Sequence, residues 1–89
     1  MVNLASRDGP DPIDVAVGSR VRIRRRQMDM SQTALAKALG VTFQQVQKYE
    51  RGTNRISASM LVRIGSTLGV TVADLVGKDD VEATDESTY

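Results

Sequence analysis

The chain has 89 residues, a formal net charge of +1, no cysteine and no histidine. That length makes one domain with a modest core, and the missing residue types exclude a disulfide framework, a thiol nucleophile, a Cys/His metal site and the commonest general base. The small net charge hides a segregation. Between Val15 and Ala73, ten basic residues stand against two acids, Asp29 and Glu50, whereas from Asp74 onward six acids face Lys78 alone.

Residues 1–11 read as a disordered N-terminal arm, polar and then broken by Gly9 and Pro10. Asp11-Pro12 is a helix-start pair, with a capping carboxylate followed by a proline that fits the first turn. The first predicted helix runs from Pro12 to about Met28. Ile13, Val17, Val21 and Met28 form its inner stripe. Arg20, Arg22, Arg24 and Arg26 are expected mostly elsewhere, on an exposed basic surface. Gly18 weakens this helix, which suggests a close contact there. Asp29-Met30 turns the chain, and Ser31 caps a second helix, Gln32 to Leu39, with Leu35, Ala36 and Leu39 inward and Gly40 as its stop.

Thr42 caps a third helix, Phe43 to about Arg51, with Val46 and Tyr49 inward and Gly52 after it. Ser57 caps a fourth, Ala58 to Leu68, whose inward positions are Leu61, Ile64 and Leu68, and Gly69 closes it. Thr71 caps a short fifth, Val72 to about Val76. Val72, Leu75 and Val76 are assigned to the core, with a dimer contact as the alternative. Residues 77–89 read as a disordered acidic tail that solvates the chain, or that competes with phosphate for the basic face. The folded domain is therefore placed at 12–76, all-α, in five helices. No apolar run approaches a membrane span, and "MVNLASRDGPDP" lacks a signal-peptide pattern. The expectation is a cytoplasmic protein with no membrane partner.

A basic body between acidic ends suits a polyanion, although a solvated basic face has the same composition. "SQTALAKALGVTFQQV", Ser31 to Val46, narrows the choice. A small residue at Ala36, a glycine reversal at Gly40 and an apolar lock at Val46 coincide as in a helix-turn-helix, whose second helix is thrust outward. That helix opens with Gln44 and Gln45, which a core-packing helix does not need. An amide side chain can bond adenine N6 and N7 bidentately, and a lysine can donate to guanine O6 and N7.

From about Asp14 to Leu75 the chain resembles the Cro/CI-type helix-turn-helix regulators, the Xre family. "VGSRVRIRRRQMDMSQ" and "GVTFQQVQKYERGTNRIS" are particularly similar to an alphaproteobacterial subgroup. The resemblance implies a five-helix phage-repressor-like DNA-binding domain that acts as a homodimer on double-stranded DNA. It implies base contacts from Phe43, Gln44, Gln45 and Lys48, and backbone contacts from Ser31, Gln32, Thr42, Arg51, Asn54 and Arg55. Gln32 would also brace the recognition helix. Arg25 and Glu50 match a partly buried pair joining the first helix to the third. Phe43 departs from the phage repressors, which often carry a polar residue there; it touches a thymine methyl or covers the turn.

The expectation is a sequence-specific DNA-binding transcriptional regulator, a repressor, without cofactor or metal. Its rivals are a DNA-binding antitoxin or controller protein of a toxin or restriction system, defined by a further protein partner or gene, and a protein-interaction adaptor that does not bind DNA. An enzyme is not expected: the body has no paired carboxylates and no phosphate-binding glycine loop.

Overall fold

The computed structural model describes residues 9–77. The expected arm over residues 1–8 and the expected tail over residues 78–89 lie outside the described residues. Five helices follow in order: α1 (Pro12–Gln27), α2 (Gln32–Leu39), α3 (Phe43–Arg51), α4 (Ala58–Leu68) and α5 (Val72–Val76). No strand occurs among the described residues.

Each helix starts on a side-chain oxygen. Asp11 accepts from the Ile13 N–H, Ser31 from Ala34, Thr42 from Gln45, Ser57 from Met60 and Thr71 from Asp74. Each acceptor satisfies a donor that the helix cannot pair internally. In α5 the Asp74 carboxylate also accepts the Thr71 N–H, closing a capping box. Gly40, Gly52, Gly69 and Gly77 end α2 to α5 in left-handed conformations. Between α1 and α2 that conformation falls to Asp29, at φ 56°, a residue type that tolerates it better than most.

Val21, Leu35, Val46, Ile64, Leu68 and Leu75 are fully buried, with Val17, Ala36, Leu39 and Ile56 around them. At 1% exposure Leu75 belongs to this core and is closed to a partner chain, while Val72 and Val76 are half-buried.

Two expectations for α1 are corrected. The inner stripe is shorter than predicted, because Ile13 is 65% and Met28 40% exposed. Steps of four residues drift about 40° around a helix of 3.6 residues per turn, so two steps back from Val21 carry Ile13 off the buried face. Met28 is the C-cap, beyond the last helical residue. Nor are the arginines between Arg20 and Arg26 uniformly exposed. Arg24 donates from Nε to the Leu68 carbonyl at 2.8 Å, and Arg20 from Nη1 to the Val76 carbonyl at 3.0 Å. These guanidiniums satisfy the free carbonyls at the C-termini of α4 and α5 and offset the partial negative charge there. Arg22 and Arg26 remain exposed.

Candidate nucleic-acid interface

The interface is built on the reversal between α2 and α3. Gly40, at φ 74°, lets the chain turn back, and the Val41 N–H returns to the Ala36 carbonyl at 3.0 Å. Ala36 is 4% exposed and Val46 1%. The small side chain lets the two helices meet, and the valine locks α3 onto the core.

With Val46 inward, the opposite side of α3 faces solvent. Phe43 is 40% exposed, and Gln44, Lys48 and Arg51 are exposed. Gln44 and Lys48 are four residues apart and so share one face. Gln45 is half-buried, one step around the helix from that face. The exposed hydroxyls of Ser31 and Thr42 accept from their own helices, at 3.0 Å each, which leaves the O–H as the donor for an outside group.

The angle of α3 is held by a buried polar network. Arg25 donates from Nε to Glu50 Oε2 at 2.6 Å and from Nη2 to Oε1 at 3.1 Å. Its Nη1 donates to the Met30 carbonyl at 2.7 Å, and Gln32 Nε2 donates to Glu50 Oε1 at 2.9 Å. Arg25 and Glu50 are 8% and 7% exposed. One carboxylate thus ties α1, the start of α2 and the end of α3 together. Two-point Arg–carboxylate geometry fixes direction as well as distance. The remaining amide hydrogen and the carbonyl of Gln32 are left for other partners.

Gly18 completes the positioning. A Cβ there would overlap the Tyr49 carbonyl oxygen and lie 2.8 Å from that of Glu50. The glycine therefore lets the backbone of α1 rest directly on the last turn of α3.

Asn54 and Arg55 are exposed in the loop after α3. Arg55 is not an unaccompanied cation: its Nε donates to Asp14 Oδ2 at 3.2 Å, and Asp11 lies at 3.9 Å. Sequence reasoning overlooked Gln47, which joins Arg22, Gln32, Glu50 and Arg51 around a polar cleft. No sequence signal marks Gln47, because its place depends on how α1 crosses α3. Among the described residues no cluster of His, Cys, Asp or Glu could hold a metal, and no helix is long and apolar enough to cross a membrane.

A glycine reversal between two packed helices, with the second held outward by a buried brace, defines a helix-turn-helix module. The sequence profile of the helix-turn-helix family matches residues 21–75. The chain belongs to that family, in its Cro/CI (Xre) type.

An uncharacterized HTH-type transcriptional regulator of Sinorhizobium medicae is 56% identical over 64 residues, which cover 72% of this chain and 46% of that protein. The chain thus spans about half the length of the curated relatives it matches. The crystal structure of the clp gene regulator ClgR from Corynebacterium glutamicum superposes with a TM-score of 0.71 at 27% identity, over 75% of this chain and 86% of that one. The restriction-modification controller protein C.AhdI from Aeromonas hydrophila gives a TM-score of 0.65 at 28% identity, over 68% of this chain and 92% of that one.

Proposed function

We propose that the protein is a sequence-specific DNA-binding transcriptional regulator, a cytoplasmic repressor acting as a homodimer, that places α3 in the major groove. One observation carries the reading. Gln44 and Lys48 share an exposed face of α3, while Glu50 on the same helix is buried in a network that fixes the helix's direction. An amide and an ammonium held outward on a rigid helix suit the donors and acceptors of base edges. The hydroxyls and side chains of Ser31, Gln32, Thr42, Arg51, Asn54 and Arg55 supply phosphate contacts around them, and Phe43 and Gln45 flank the reading face. Two such helices about 34 Å apart would meet successive major grooves.

Substitution on the reading face tests this. Gln44→Ala is expected to cost about 1–3 kcal/mol of discrimination between a selected site and a scrambled duplex, while weak binding to any duplex persists. Lys48→Ala should weaken binding and alter base preference. Competition titrations measure both. Equal discrimination by wild type and Gln44→Ala would remove that glutamine from readout.

A second reading is a restriction-modification controller. It is favoured by the likeness to C.AhdI, whose chain is matched over 92% of its length. The DNA chemistry is the same in both readings; the controlled genes differ.

A further inference from the structure

The cleft between α1 and the end of α3 includes neither Gln44 nor Lys48. It is lined by Arg22, Gln32, Gln47, Glu50 and Arg51, with a volume of about 540 Å³, which leaves room for a sugar-phosphate unit. Its construction follows from Gly18. With the α1 backbone resting on Tyr49 and Glu50, the next turns on that face carry Arg22 and Arg25 beside the end of α3. Arg25 turns inward to Glu50. Arg22 and Arg51 stay exposed, and among the described residues neither meets a carboxylate or a carbonyl acceptor.

The Glu50 carboxylate also borders the cleft, but both its oxygens already accept hydrogen bonds, from Arg25 and Gln32. Its charge is matched by Arg25, so Arg22 and Arg51 are left in excess. Gln32, first residue of α2, brings the partial positive charge of that helix's N-terminus to the rim. Two guanidiniums across one open cleft repel each other, and an anion between them relieves the repulsion. Such a forked pair recognises a phosphate better than it recognises a carbonyl or a second cation.

We propose that this cleft takes one backbone phosphodiester of the DNA in each half-site, gripped by Arg22 from α1, by Gln47 and Arg51 from α3 and by Gln32 at the start of α2. The proposal rests on the DNA-binding reading above and adds Arg22 and Gln47 to the contact surface. The cleft supplies affinity and register but no sequence information.

The test uses the full chain, a duplex enriched by selection, and copies of that duplex in which single phosphates are replaced by neutral methylphosphonates. In the wild type, several neutralised positions per half-site should weaken binding, one of them the phosphate held in the cleft. In Arg22→Gln the penalty at that position, and at no other, should shrink, because Arg51 still faces the same phosphate. The slope of log K against log salt should fall in magnitude by at most about one per subunit, with site preference unchanged. Without DNA, the Tm of Arg22→Gln should equal or exceed that of the wild type at low salt, because the substitution removes a repulsion and breaks no ion pair among the described residues.

Wild-type affinity and slope in Arg22→Gln would overturn the cleft proposal while leaving the DNA-binding reading intact. So would a lowered Tm, which would assign Arg22 to the fold. Failure of the wild type to bind any duplex would overturn the reading, and the cleft proposal with it.

Discussion

Replacing Glu50 with alanine is expected to destabilise the domain by about 3–5 kcal/mol, the usual cost of removing one partner from a buried ion pair. The change takes the carboxylate from Arg25, which is 8% exposed and keeps only the Met30 carbonyl. It also takes the acceptor from Gln32. A domain of this size has roughly 4–10 kcal/mol in total, so a large fraction of the chain would be unfolded at physiological temperature. The pair's net worth is a separate matter, since a buried pair is often no more stable than apolar residues of similar volume. The double variant Arg25→Met with Glu50→Leu should therefore recover much of the loss. Chemical denaturation followed by circular dichroism measures both. A loss below about 1 kcal/mol for Glu50→Ala would mean that the network does not hold α3. The double variant, even if stable, should bind DNA less tightly, because apolar contacts fix the helix direction less strictly than a two-point ion pair does.

The second large effect runs against helix propensity. Glycine inside a helix is about 1 kcal/mol worse than alanine, so propensity alone predicts that Gly18→Ala stabilises the chain. The packing predicts the reverse. The new methyl would overlap the Tyr49 carbonyl oxygen and crowd that of Glu50. Both are backbone atoms of α3, which cannot step aside as a flexible side chain would. Helices α1 and α3 must separate, at a net cost of about 1–3 kcal/mol, and the reading face must move with α3. The expected result is a lower denaturation midpoint, together with a loss of DNA affinity greater than the fraction unfolded explains. A midpoint equal to or above that of the wild type would show that α1 does not rest on α3 at this point.

What was legible in the sequence is mostly what is local. The caps Asp11, Ser31, Thr42, Ser57 and Thr71 lie within three residues of the donors they satisfy, so residue type and position were enough to place every helix. The reversal at Gly40 and the lock at Val46 also sit inside one short motif. The misreadings in α1 are long-range. Arg20 and Arg24 find their carbonyls 56 and 44 residues away, and nothing near them in the chain distinguishes them from Arg22 and Arg26. Ile13 looked inward because spacing alone does not say where a packing partner ends. Gly18 announced a close approach only through its cost to the helix. Within the site, the two acids in a basic body made Glu50 conspicuous, but charge alone did not choose its partner among five arginines in α1; the family resemblance pointed to Arg25. The exposed Gln44 and Lys48 could be placed on a face, but the groove they are proposed to read is not part of the chain.

Reading of base edges by α3 in successive major grooves of a DNA duplex has one direct consequence. Selection from a random duplex library, with the enriched pool titrated at two salt concentrations, tests it most directly. The expected product is an inverted repeat whose half-sites lie about ten base pairs apart. With three or four phosphates met by each subunit, the slope of log K against log salt should be roughly −5 to −7 for the dimer. No enrichment and no binding to any duplex would contradict DNA reading by α3 and turn its exposed face into a protein-docking surface.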